Sequence, residues 1–375
     1  MSRLNIREFS IGIALLLMVA FFSLAEEQFL GARNLSLLMT ELSITATLAM
    51  GMLLIILPGH IDLSVGSGVG LLGGVASVLV FQQNWPAPLA MLAALGVGVV
   101  LWFLMGVLIV KEKIPAFIIT LGGLLVFKGL FWLTIQNSTV PVVAGGGRNF
   151  YSMLTTYYLP PTAGWVLAVV LGSALGLSMW RSRATKRSEG FEVGSGEMAF
   201  LQWFIALQAI CLFVLVTNQF QGVPLPSLIL AMVTLMVYVI TRHTTLGRYL
   251  YAIGGNEEAA LVSGIPVGRV VMLAFAIMGG VVAITGFMQT SYAGASTTTV
   301  GELMELDAIA ACVIGGVSLK GGRGSVLGVL FGALLMACLL NGMTLMAVSP
   351  EFKFIARGTV LALAVWMDVR LGRRN

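Results

Sequence analysis

The chain has 375 residues, of which 58% are hydrophobic and only 10% charged, and its mean hydropathy is +0.98. An average soluble domain carries roughly a quarter charged residues, so the composition excludes a water-soluble globular protein and places the chain in a membrane. The net charge of +5 reads as membrane topology and not as affinity for nucleic acid.

Roughly twelve apolar runs of about bilayer-crossing length are legible: 9–25, 37–57, 61–81, 87–110, 116–135, 161–180, 198–217, 225–241, 270–290, 306–318, 325–346 and 354–368. The alternating ten-residue pattern of an outer-membrane barrel is absent, and helices satisfy every backbone group internally, as lipid demands. The expectation is an all-α polytopic integral membrane protein, a bundle of about 12 transmembrane helices (range 10–14) forming a single domain over 1–375. Arg3 and Arg7 precede the first run as they would in a signal peptide. That run is longer than a usual signal core, and Glu26-Glu27-Gln28-Phe29 is no small-residue cleavage site, so it is read as retained.

Next come the ionisable groups at bilayer depth: Glu41, Asp62, Lys128 and Asp307. Such groups cost a few kcal/mol on insertion scales, so each is a pathway or packing hypothesis. Asp62 and Ser64 lie in "GHIDLSVG", crowded by Pro58, Gly59, Gly66 and Gly68; they either line a cavity beside an interrupted helix or cap the following span. Asp307, in "ELDAIAACVIGG", poses the same choice, since acidic residues favour a helix start. Trp102, Phe127 and Trp132 offer faces on which a ring could stack, although packing is the commoner use of aromatics. Asn341 completes a candidate pathway set of Asp62, Ser64, Phe127, Asp307 and Asn341. Small residues every four positions, at Gly66/Gly70/Gly74 and Gly324/Gly328/Gly332, suit close helix packing.

The connections differ in character. The segment 136–160, with "AGGGRN" and "TTYYLPP", is turn-rich and weakly charged. The segment 181–197, "RSRATKRSEGFEVGSGE", mixes basic residues, glutamates and glycines and reads as a flexible loop. The segment 242–269 contains "YAIGGNEEAALVSGIP". There Gly254-Gly255 break the preceding structure, Asn256 is a good N-cap, Glu257 and Glu258 sit on the positive first turn, and Gly264 with Pro266 ends a short helix. A helix of about two turns does not hold itself in water, so it rests on a partner or on its own protein.

If the spans alternate from a cytoplasmic N-terminus, sixteen of the twenty-one lysines and arginines fall on the cytoplasmic side. Only Arg33, Arg148, Lys353 and Arg357 fall outside, and Lys128 lies within a span. The asymmetry supports an even number of crossings with both termini cytoplasmic. No G-x-x-x-x-G-K-[ST] occurs, since "GGVSLKGGRGS" has the wrong order, so ATP hydrolysis has no phosphate loop here. His60 and His243 are far apart, and Cys211, Cys312 and Cys338 lie in apolar runs without metal-ligand or paired spacing. Catalysis is not expected, nor a metal site.

The stretches "LGRYLYAIGGNEEAALVSGI" (246–265), "GHIDLSVGSGVGLLGG" (59–74), "IPAFIITLGGLLVFKG" (114–129) and "ELDAIAACVIGGVSLKGGRGSVLGVLFGALLMACLLNGM" (305–343) together resemble, in order, the sugar permease subunits of bacterial ABC importers. The resemblance implies an inner-membrane permease, homodimeric in that family's manner, that works with a separate ATP-binding subunit and a periplasmic sugar-binding protein. ATP and magnesium would then be bound by the partner, with no cofactor in this chain. It further implies that 242–269 is a cytoplasmic coupling loop docking on the ATPase through Gly255, Asn256, Glu257, Glu258, Ala259, Ala260 and Leu261. The material over 136–222, with an extra helix pair and a basic cytoplasmic loop, resembles the xylose-type permease, which implies a pentose as substrate. The alternative is a self-sufficient sugar transporter driven by an ion gradient, with Glu41, Asp62 and Asp307 as coupling carboxylates.

Overall fold

The computed structural model describes residues 6–143 and 147–372, so Arg3, Gly146, Arg373 and Arg374 lie outside the described residues. Among the described residues there are fifteen helices: α1 (Ile6–Ala25), α2 (Ala32–Ile56), α3 (Val65–Phe81), α4 (Ala87–Glu112), α5 (Ala116–Ile135), α6 (Phe150–Thr156), α7 (Pro161–Ser188), α8 (Gly196–Asn218), α9 (Leu225–His243), α10 (Thr245–Gly255), α11 (Glu257–Val262), α12 (Val267–Ala293), α13 (Met304–Ile314), α14 (Val326–Leu345) and α15 (Pro350–Gly372). Eight of them, α2, α4, α5, α7, α8, α9, α12 and α14, are long and apolar enough to cross a membrane.

The bundle is built around α2 and α12. From Leu48 to Leu57 almost every α2 side chain is wholly buried, and Gly51 lets the helix close on Met278 and Val281 of α12. On one side α12 packs against α3 and α4, with α5 beyond; on the other α2 meets α13 and α14, which hold α1 and α15. The α7–α8 hairpin is peripheral and mostly exposed. At one end of the bundle two short antiparallel pairs staple the connections: β1 (Val140–Pro141) with β4 (Ala295–Ser296), and β2 (Tyr158–Leu159) with β3 (Val223–Pro224).

Two helices are interrupted. α3 has 17 residues and α13 only 11; at 1.5 Å per residue α13 covers about 16 Å, roughly half a hydrocarbon core. The expected span 306–318 is therefore corrected to a half-helix followed by an irregular stretch, because Gly316, Gly321 and Gly322 adopt positive φ and end helical propagation. The first turns of α3 and α13 lie side by side, with Gly66 against the Gly301 carbonyl and the Glu305 carboxylate. From there α3 runs towards β1 and β4. α13 runs the other way, so that Cys312 Sγ donates to the Ala49 carbonyl at 3.4 Å. Each of these helices is preceded by an irregular segment, 57–64 and 294–303 respectively, and the two segments enter from opposite ends of the bundle.

Three loop expectations change. The presumed flexible loop 181–197 is helical through Ser188, with Lys186 and Arg187 in the last turn of α7, where cations suit the helix dipole. Arg183 then closes the remaining connection by donating to the Gly194 and Ser195 carbonyls at 2.7 and 3.3 Å. The segment 136–160 contains α6, started by a capping box between Asn149 and Ser152. Tyr151 projects from α6 into the core and donates to the Gly73 carbonyl at 2.9 Å. Finally, Gly254-Gly255 complete α10 instead of breaking it, and the break falls at Asn256.

Candidate functional site

The polar residues gather in four places. The first is a cleft of about 290 Å³ between α2, α12, α14, α15 and the stretch leading into α13, lined by Glu41, Gln289, Tyr292, Glu302, Asp307, Lys353 and Arg357 among others. That volume sits at the lower end of small-molecule sites, roughly 300 Å³. Glu41 is held by Tyr292, whose hydroxyl donates to Oε1 at 2.9 Å, and by Asn341, whose amide donates to Oε2 at 3.4 Å. Asn341 is oriented in turn by paired amide bonds with Asn34 at 2.9 and 3.2 Å. Across the cleft Arg357 Nε lies 3.3 Å from Asp307 Oδ1. Lys353 Nζ donates to Thr344 Oγ1 at 3.0 Å.

Of the pathway set read from sequence, the structure brings Asp307 and Asn341 to this cleft, Asp307 on its lining and Asn341 behind Glu41. Asp62, Ser64 and Phe127 lie elsewhere. Asp62 is wholly buried: Oδ1 accepts from the Ser64 amide at 2.8 Å and its hydroxyl at 2.6 Å, and Oδ2 accepts from Trp102 Nε1 at 2.6 Å. Phe127 packs against the same Trp102 with ring centroids 4.9 Å apart and the ring planes tilted by 36°. This second group is a closed polar knot that fixes the entry to α3. Ser64, and not Asp62, occupies the N-cap position, without a side-chain cap bond. Acidic residues do open α13, with Glu305 and Asp307 in its first turn.

On the other face of the 298–305 stretch is a smaller cavity of about 180 Å³ lined by Ser67, Lys128, Glu302 and Glu305. Lys128 stands over the Trp132 ring at 5.5 Å. Trp132 Nε1 donates to the Thr298 carbonyl at 3.3 Å.

The fourth place is the opposite end of the bundle. Asn256 Oδ1 accepts from the Ala259 amide at 2.9 Å, which caps α11 as its sequence predicts. Only Ala260 of this helix is buried, so α11 is pinned at one point. Gly255, Asn256, Glu257, Glu258 and Ala259 are exposed, as are Leu261 (55%) and Val262 (90%). Two large apolar side chains presented to solvent on a six-residue helix are an unsatisfied surface. Between α11, the α4–α5 turn and the 59–61 segment lies a cavity of about 690 Å³, with His60, Lys113, Glu257 and Leu261 on its walls.

The sequence reading missed Tyr292, Glu302, Lys353 and Arg357 as cleft residues. Arg357 carried a usable signal: it falls inside the apolar run 354–368, so its placement in an outer connection is corrected to a bundle-facing position on α15. Among the described residues no group of three or more His, Cys, Asp or Glu side chains could hold a metal ion. The clefts offer hydrogen-bond donors and acceptors suited to a polyhydroxylated solute.

Comparison with known proteins places these features in context. The family described as branched-chain amino acid transport system / permease component matches residues 34–365. The xylose transport system permease protein of Escherichia coli is 39% identical over 378 residues, covering 99% of this chain and 94% of that protein. The xylose transport system permease protein of Haemophilus influenzae is 37% identical over 367 residues, 97% of this chain and 96% of the relative. The ribose import permease protein of Escherichia coli is 32% identical over 357 residues, 95% and 92% of the two chains. No solved structure matches the chain.

Proposed function

The chain belongs to the branched-chain amino acid transport system permease component family, and from that premise we propose that it carries D-xylose across the bacterial inner membrane as the permease of an ATP-driven importer. It is a multi-pass membrane protein and a sugar-importer permease. The observation that carries the sugar is the full-length similarity to xylose permeases, 39% over 99% of the chain, against 32% for the ribose permease.

The bundle crosses the membrane twelve times with both termini cytoplasmic. Eight crossings are the long apolar helices; α1 and α15 add two, and the irregular-plus-helical units 57–81 and 294–314 add two more. The polar cleft around Glu41, Asp307, Asn341 and Arg357 is the solute route, because it is a concentration of hydrogen-bonding groups at bilayer depth with room for a small solute. α11 is the contact for a separate ATP-binding subunit. Its exposed Leu261 and Val262 on a capped, rigid element support that role. A periplasmic sugar-binding protein delivers the substrate, and a second copy of the chain completes the translocation unit.

The test is uptake of labelled xylose by cells holding this chain with its ATPase and binding protein. Replacing the phosphate-loop lysine of the ATPase should abolish uptake with proton and sodium gradients intact. Uptake driven by an ion gradient in that strain would instead establish the secondary-transporter reading, and preferential ribose uptake would overturn the choice of sugar.

A further inference from the structure

At the α11 end three separate connections touch backbone to backbone. They are 57–59, leading out of α2; the α10–α11 corner at 254–256; and the 315–325 connection between α13 and α14. The Gly322 amide donates to the Leu57 carbonyl at 2.9 Å. A Cβ at 254 would collide with that same Leu57 carbonyl oxygen and with the Gly322 amide nitrogen. A Cβ at 321 would stand 2.8 Å from the Gly254 Cα, the Gly59 amide nitrogen and the Leu57 oxygen. Tyr251 of α10 ties the corner to the third connection by donating its hydroxyl to the Gly324 carbonyl at 2.8 Å.

Both partners of the corner adjoin an interrupted helix. The 57–59 segment continues through the Asp62 knot into α3, and the 315–325 connection continues from α13, whose first turn carries Asp307 into the polar cleft. Side chains in a contact absorb displacement by changing rotamer, whereas abutting peptide backbones deform only at steep cost in bond angle and planarity. A junction of abutting backbones therefore transmits a displacement of α10–α11 to both interrupted helices with little loss.

We infer that Gly254, Gly321, Gly322 and Tyr251 form a transmission junction, with Gly254 and Tyr251 as positioning residues that tie movement of the ATPase-facing helix α11 to opening of the solute route. The inference rests on the reading of α11 as the ATPase contact. In it Gly254 acts by absence of a side chain, and Tyr251 by one bond.

The test uses the whole transporter, with ATPase and binding protein, in vesicles. Three quantities are measured: ATPase co-purified, ATP hydrolysis stimulated by sugar-loaded binding protein, and sugar imported per ATP hydrolysed. Gly254→Ala should assemble with the ATPase at the normal ratio and still hydrolyse ATP, with sugar imported per ATP lowered at least tenfold. Tyr251→Phe, which adds no atoms, should lower the same ratio severalfold at unchanged assembly. Unchanged import per ATP in Tyr251→Phe, together with either unchanged import per ATP or lost assembly in Gly254→Ala, would overturn the inference. Failure of the underlying reading looks different: Leu261→Asp would then bind the ATPase normally.

Discussion

Replacing Leu261 by aspartate probes the α11 surface without touching the bundle. Leu261 is 55% exposed, and burying a whole leucine side chain is worth about 1.5–3 kcal/mol, so covering the exposed half contributes roughly 1–1.5 kcal/mol to docking. The substitution removes that contribution and places a carboxylate in the contact, where an unpaired charge costs several kcal/mol if the interface is dry. The sum corresponds to a loss of affinity of at least about a hundredfold, since 1.4 kcal/mol is tenfold. In the free permease the same carboxylate stays in water, because the position is already half exposed and Ala260 alone pins the helix. The measurement is ATPase co-purification and sugar uptake, set against the amount of permease in the membrane. Membrane amount should be unchanged while co-purification and uptake collapse. Normal values for all three would mean that Leu261 faces only its own cavity, and α11 would lose its assignment as the docking element.

Two further predictions concern the bundle itself. Arg357→Leu removes the partner of Asp307, whose side chain is only 8% exposed, and breaking a buried pair costs about 3–5 kcal/mol. Thermal unfolding in detergent should shift down, and adding Asp307→Asn should recover most of the shift while uptake stays low; an unshifted single variant would show that the pair is not coupled. In a background lacking Cys211, Cys312 and Cys338, single cysteines at Ser188 and Gly147 should label from opposite faces of the membrane, and labelling from one face would refute the twelve-crossing topology.

What was legible in the sequence follows from how each feature is encoded. Long apolar runs announce themselves because lipid fixes both composition and length, and α2, α4, α12 and α14 fall where those runs predict. The α11 helix was legible to within a residue at either end because capping is local: Asn256, two glutamates and Gly264 lie within nine positions. Half-helix α13 was not, since a largely apolar run of 13 residues reads alike whether it is straight or broken at Gly315-Gly316. The cleft was half legible. Asp307 stood out as a charge at depth, but its partner Arg357 lies fifty residues on, and Glu41 meets Asn341 across 300 positions. Contacts at that separation leave no periodic trace in one sequence.

The two interrupted helices explain why charges are tolerated at that depth. An uninterrupted helix satisfies its own backbone and leaves a carboxylate to face lipid or be neutralised. A helix that starts within the bundle brings unpaired amides and a positive dipole end with it. Asp62 is answered by the Ser64 amide, its hydroxyl and Trp102, and Glu305 and Asp307 sit on the first turn of α13. Because the two starts lie side by side and the helices diverge, polarity is concentrated at one level of the bundle while apolar surface fills the rest. That is the distribution a solute route requires. It is also a mechanical liability, since 57–64 and 294–303 lack the ladder of hydrogen bonds that stiffens a helix. The backbone junction at Leu57, Gly254 and Gly322 supplies stiffness at the outer end of 57–64, and the β1–β4 pair supplies it at the outer end of 294–303. Each irregular segment is thus braced where it enters the bundle, and the polar groups lie beyond the brace.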